Sequence, residues 1–167
     1  AVAAAVLFCA VLIPFQIVQN KNTSAVSENA QIRVKGASNP SLFLYKNENG
    51  KAVKLSDHEK IGGGEIIQIS YIAGKAAEGM IFSIDGNGVL TQHFPEKKAV
   101  SGTLVQGKEV ALDFSYKLDN APRFEKFYFV TGDEPFTSSD LEISIRTGSV
   151  SSSGKNKLSV TEFYLEK

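Results

Sequence analysis

Beyond residue 30 the apolar residues of this chain come in short runs, often at every second position, cut by Gly, Asn, Asp and Pro. No stretch of helical length repeats them with a period of 3.6. Alternation puts successive side chains on opposite faces of an extended backbone, so it selects short strands and points to one antiparallel β-sandwich or barrel-like domain, mainly β, over residues 30–167. Residues 31–35 alternate, with Ile32 and Val34 on one face. Residues 42–46 and 52–55 flank Asn47-Glu48-Asn49-Gly50, whose Asn-Gly can supply the positive φ angles of a tight hairpin. After a connection holding Ser56 to Lys60 and Gly62-Gly63-Gly64, residues 65–73 carry Ile67, Ile69 and Tyr71 on one face and Ile66 and Ile72 on the other. That pattern predicts a central strand covered on both sides.

The strongest hairpin signal is Met80 to Ile84, Asp85-Gly86-Asn87-Gly88, then Val89 to Phe94, closed by Pro95, which cannot donate to a ladder. A loop of two or four residues puts Met80, Phe82 and Ile84 on the same face as Val89, Thr91 and His93, and that face is expected in the core. Residues 108–116 and 124–130 are further strands, the second aromatic on both faces through Phe124, Phe127, Tyr128 and Phe129. From Thr137 two patterns compete. Ser139 with Glu142 has capping-box spacing for a helical turn, the favoured reading, while Leu141, Ile143 and Ile145 alternate as in a strand. Residues 149–156 read as a flexible loop and residues 158–165 as the last strand.

Residues 1–18 stand apart, with Gln16 the only polar residue and no charge. At about 1.5 Å per residue they reach roughly 27 Å, close to a hydrocarbon core, which predicts a single transmembrane helix with Pro14 near its end. A cleaved signal peptide is the main rival, with Thr23-Ser24-Ala25 as its small-residue site. The length of the apolar stretch, and an opening at Ala1 with neither Met nor a basic leader, favour the anchor in a chain truncated upstream. Bulky Phe8 before Cys9 disfavours lipid attachment. Residues 19–29 are polar and read as a tether.

Composition narrows the function classes. Lys plus Arg equals Asp plus Glu, 18 against 18, with no basic run, so nucleic acid is not an expected partner. Cys9 is the only cysteine and lies in the apolar segment, so neither an intrachain disulfide nor a multi-Cys metal site is expected. Asp85-Gly86-Asn87-Gly88 starts like a calcium loop, and Glu96 falls at its twelfth position, but Val89 and Leu90 stand where an oxygen ligand and the turn glycine belong. A plain turn is expected. Gly62-Gly63-Gly64 lacks the following Lys-Ser or Lys-Thr of a phosphate loop. His58 is expected solvated on a turn, His93 hydrogen-bonded and partly buried, and Phe127 in the core rather than on a base-stacking surface. No catalytic, cofactor-binding or metal residue is assigned, and no enzyme activity is expected.

From Gly79 to Phe136, the run Ile84 to Gly88, Phe94-Pro95, Gly107, and Phe124 to Phe136 with its Thr-x-x-x-Pro-Phe ending resembles a widespread bacterial family of uncharacterised all-β extracytoplasmic domains. The stretches NPSLFLYKN and GEIIQISYIAG are similar to the amino-terminal strands of members that follow one membrane helix. Some such relatives look like anti-sigma factors, with a cytoplasmic zinc-binding helical domain that here would precede Ala1. The resemblance implies a membrane-anchored binding or sensing domain, in the inner membrane through residues 1–18, with its β part periplasmic and a protein as partner. Alternatives are a structural envelope or protein-interaction module, and an exported protein with a cleaved signal. The family motifs are turns and core positions, so the resemblance carries over no catalytic residue.

Overall fold

The computed structural model describes residues 39–96, 98–144, 147–154 and 157–167. In chain order their strands are β1 (Ser41–Glu48), β2 (Lys51–Lys54), β3 (Glu59–Lys60), β4 (Ile66–Ile72), β5 (Glu78–Asp85) and β6 (Leu90–Phe94). There follow β7 (Gly102–Thr103), β8 (Glu109–Lys117), β9 (Phe124–Gly132), a 3-10 turn at Ser138–Asp140, β10 (Leu141–Ser144), β11 (Ser149–Ser152) and β12 (Ser159–Glu166). The expected membrane helix at 1–18, the tether at 19–29 and the alternating run 31–35 lie outside the described residues. Among the described residues no helix is long and apolar enough to cross a membrane.

The chain is mainly β, and its sheets are antiparallel apart from the two-residue parallel pair β3–β12. One sheet runs β2-β1-β4-β8; a second runs β3-β12-β9-β5-β6, with β7 beside β5; β10 and β11 form a separate hairpin. Side chains of alternate parity from the first two sheets meet in one apolar cluster. Leu42, Leu44, Ile67, Ile69 and Tyr71 come from the first, and Ile81, Phe127, Phe129, Phe163 and Leu165 from the second. The opposite parity of the second sheet supplies Met80, Phe82, Ile84, Tyr128 and Val130 to another cluster, closed by Phe136, Leu141, Ile143 and Val150 from the segment holding the hairpin. The second sheet is therefore covered on both faces along β5, where every residue is buried.

Several expectations hold at this level. Asn49 and Gly50, at φ 54° and 80°, form the tight turn between β1 and β2. β4 lies between β1 and β8, with Ile67, Ile69 and Tyr71 in the core. Its other face differs from the expectation: Ile66 is exposed, and Gln68 and Ser70 are buried by hydrogen bonds to Leu112 O, Ser115 and Glu109. The strand buried along its whole length on both sides is β5 instead.

The β5–β6 hairpin corrects a parity. Asp85 N–H donates to Val89 O, so the loop is the three residues Gly86 to Gly88, with Gly88 at φ 81°. A three-residue loop with its last residue left-handed shifts the pairing by one relative to two or four. Ile84 pairs with Leu90, Phe82 with Gln92 and Ser83 with Thr91. Thr91 and His93 therefore share the Ser83 face, away from Phe82, and Val89 is exposed.

The carboxy-terminal reading is corrected twice. Both competing patterns are realised in succession, but the turn is closed by Asp140, whose carboxylate accepts from Thr137 N–H at 2.8 Å, and Glu142 lies in β10. Residues 149–152, expected as loop, are β11, because Val150 faces Ile143 in the β10 ladder and buries against the second cluster.

Candidate functional site

Two groupings of chemically capable side chains emerge, one sealed between the sheets and one on the surface. The interior one follows from the alternation of β9, which turns Glu125 inward between Phe124 and Lys126. Glu125 is 1% exposed, and its carboxylate lies 2.8 Å from Lys167 Nζ. Ser83 Oγ donates to Glu125 Oε1 at 2.9 Å and Tyr116 Oη to the same oxygen at 3.3 Å, while Lys167 also reaches Asp119 Oδ1 at 3.0 Å. Burial works against the Lys167 charge, but its hydrogen bonds to Glu125 and Asp119 outweigh that and hold the ammonium above its ordinary value. Burial, reinforced by Glu125, pushes the Tyr116 phenol up.

His93 joins this network from β6, its Nε2 3.0 Å from Ser83 Oγ. Its ring packs edge-on to Tyr116 at 4.7 Å and parallel to Phe127 at 5.6 Å. Because the Ser83 proton goes to Glu125, the network assigns the Nε2 proton to the imidazole, which donates to Ser83. Burial brings the His93 pKa down to about 4. A serine nucleophile needs the reverse polarity, with histidine accepting from the hydroxyl and an acid behind the histidine. Here the acid sits on the serine, and Ser83 is fully buried. What this arrangement can do is join β5, β6, β8, β9 and the residue after β12.

The turn expected at Asp85 is equally self-contained. Asp85 Oδ1 accepts from Asn87 N–H and Val89 N–H, both at 2.8 Å, so the side chain that would open a calcium loop braces its own backbone. Glu96 is exposed beyond β6. Among the described residues no group of three or more His, Cys, Asp or Glu side chains could hold a metal ion. Gly64, in the glycine run, donates to Leu118 O at 2.8 Å, and Phe127 is buried in the core.

The surface grouping was not foreseen. On the outward parity of β9 and β12, Phe124 and Tyr164 lie with ring centroids 6.0 Å apart and planes at 30°. His58, expected simply solvated, is indeed exposed, but its ring stacks on Tyr164 at 4.6 Å and 28°. Lys126 Nζ stands 5.7 Å from both the Phe124 and the Tyr164 centroid, and Arg123 lies 5.8 Å from Phe124. Strained backbone flanks the row. His58 has φ 62°, and Arg123 has φ 73° at the centre of a three-residue turn in which Phe124 N–H donates to Pro122 O. Alternation alone could have placed Phe124 and Tyr164 outward once Phe127 and Phe163 were inward. Their meeting, and the arrival of His58, depend on the long-range pairing of β9 with β12 and of β12 with β3.

No family model matches the chain, and neither a curated protein nor a solved structure is similar to it.

Proposed function

We propose that this chain is a membrane-anchored, extracytoplasmic binding or sensing domain of a bacterial envelope protein, a β-sandwich held to the inner membrane by residues 1–18. The observation that carries binding is the outward row of Phe124, Tyr164 and His58. It is a stack of rings, exposed at His58 and half-buried at Tyr164 and Phe124, with charged side chains beside it, a grouping through which a partner can be held. The apolar run 1–18, the polar run 19–29 and the resemblance to domains that follow a single membrane helix support the anchored, periplasmic placement. Coupling to a cytoplasmic regulator of the anti-sigma type belongs to the same proposal.

The test is made in the source cell with the full-length protein. It should stay with the membrane pellet through a carbonate wash, be cleaved by protease added to spheroplasts, and bind saturably, once purified, to washed envelope material. Recovery in the soluble fraction without proteolysis would refute the anchor. Failure to bind envelope material would refute the binding role.

A further inference from the structure

We propose that residues 31–35 dock as an added strand on the open edge of β12, antiparallel to it, with Ile32 opposite Phe163, Arg33 opposite Glu162, Val34 opposite Thr161 and Lys35 opposite Val160. Among the described residues β12 has β9 along its whole length on one side, but on the other side β3 only at Leu165 and Glu166. The turn before β3 fills one more position: Tyr164 O accepts from His58 N–H and Tyr164 N–H donates to Asp57 Oδ1, both at 2.8 Å. Peptide groups along a strand point alternately to either side, so Glu162 and Val160 direct their N–H and C=O the same way as Tyr164, away from β9. An edge of this kind is a template for another strand.

The place where the chain enters β1 selects the occupant. Thr161 Oγ1 donates to Pro40 O at 3.4 Å, so the residue just before β1 lies against the middle of this edge. From Lys35 to Pro40 the chain reaches roughly 17 Å at about 3.4 Å per residue, against about 10 Å between facing sheets. Gly36, Ala37, Ser38 and Asn39 thus suffice to carry the chain from an edge of the second sheet into the first. β1 starts beside Thr161, and Lys46 near its far end meets Glu59, the partner of Leu165, at 3.3 Å, so β1 and β12 run the same way. A chain that reverses over residues 36–39 therefore runs antiparallel to β12.

Parity and charge agree with that register. Thr161 shares the inward parity of Phe163 and Leu165, which lie in the core between the sheets. Ile32 and Val34, opposite Phe163 and Thr161, turn to the same core, while Arg33 and Lys35 face outward. A slip of one residue would bury Arg33 and expose both apolar side chains. Glu162 is exposed and meets Lys126 at 3.5 Å on its β9 side; Arg33 supplies a cation on its open side, a cross-strand pair of opposite sign. A second copy pairing by the same edge would instead bring two Glu162 carboxylates together. Because the Asp57 and His58 turn already fills the edge at Tyr164, the chain toward residue 1 leaves the domain beside those rings.

Amide hydrogen exchange and cysteine pairing in the full chain test the assignment. The amides of Val160 and Glu162 should exchange slowly in the parent and about tenfold or more faster in Ile32→Asp/Val34→Asp, while those of Phe82 and Tyr128 in the core stay protected. In a Cys9→Ser background, Arg33→Cys/Glu162→Cys should form an intrachain disulfide. Opposed residues that exchange hydrogen bonds across antiparallel strands have Cα atoms about 5.5 Å apart, within the span of a disulfide. Lys35→Cys/Glu162→Cys, two positions out of register, should not form one. The cysteine pairs decide the matter even if the aspartate variant unfolds, since the side chains they replace face outward. Fast exchange at both amides in the parent overturns the proposal, as does slow exchange that survives in the folded aspartate variant. So does a disulfide that forms as readily in the shifted pair, or not at all in the aligned one. Protection that appears only as protein concentration rises also overturns it, making a second copy the occupant.

Discussion

Acidification should cost this protein stability through one imidazole. His93 is 2% exposed, lies against Tyr116 and Phe127, and gives its Nε2 proton to Ser83. Burial lowers its pKa from 6.5 to about 4. Between those values the unfolded chain carries a proton on this ring and the folded chain does not, so proton binding favours unfolding. The contribution is complete above about pH 6.5 and is lost progressively as the pH falls toward about 4. A gap of roughly two and a half pH units, at about 1.4 kcal/mol each, makes about 3–4 kcal/mol in full, of which about 3 is lost by pH 4. That is a large part of a total stability of about 5–15 kcal/mol. Urea unfolding of the parent and of His93→Gln, in steps from neutral pH to about pH 4, isolates the term because the amide still donates to Ser83 and does not titrate. The parent should lose about 3 kcal/mol more than the variant across that window. Parallel stability curves would refute the argument. So would an imidazole NMR titration, made in a His58→Asn background, that placed the folded His93 near 6.5.

Three further outcomes follow from packing. Phe82, 2% exposed and stacked on Tyr128 at 5.5 Å, should cost about 3–5 kcal/mol as Phe82→Ala in denaturant unfolding, and a cost below about 1 kcal/mol would contradict its burial. A Cβ at Gly86 would lie 1.6 Å from Pro122 O, a backbone atom, and at Gly88 the φ of 81° carries a conformational strain of about 1–2 kcal/mol for a side chain. Gly86→Ala should therefore lower Tm more than Gly88→Ala, and the opposite order would refute the close approach. Lys167→Met leaves the Glu125 carboxylate buried without its cation and should cost about 3–5 kcal/mol, with much of that recovered in the double variant Lys167→Met/Glu125→Gln. Simple additivity would show that the two do not interact.

What could be read from the sequence was what period and turn chemistry determine locally. Asn49-Gly50 announced its hairpin because few other residue pairs accept two positive φ angles, and the alternation of Ile67, Ile69 and Tyr71 named the buried face of β4. The β5–β6 hairpin was foreseen in place but not in parity, since Asp-Gly-Asn-Gly admits loops of different length and one residue reverses every partner. The Ser-rich segment hid β11 because serine has weak strand preference, and only its ladder with β10 makes Val150 and Ile143 neighbours. Neither grouping of polar and aromatic side chains was legible, and for the same reason. Glu125 meets Ser83 across β5 and β9, forty-two positions apart, and Tyr164 is reached by the turn carrying Asp57 from 107 positions away.

The interior network and the surface row are two parities of the same strands. β9 points Glu125 inward and its neighbours Phe124 and Lys126 outward; Tyr164 leaves β12 on the outer face, and Lys167, just beyond that strand, turns its ammonium back to Glu125. A buried ion pair contributes little net stability, because desolvating both charges offsets their attraction, but it is intolerant of displacement. Sliding β12 along β9 by one residue would separate Lys167 from Glu125 and carry Tyr164 to the opposite face. The register Tyr164 opposite Lys126, and Glu166 opposite Phe124, is thus the one that satisfies the buried charges and brings the rings together. Lys167 N–H donating to Arg123 O at 3.0 Å ties the same two strand ends at the strained residue. The interior pair and the surface rings thus depend on one and the same register of β12 on β9.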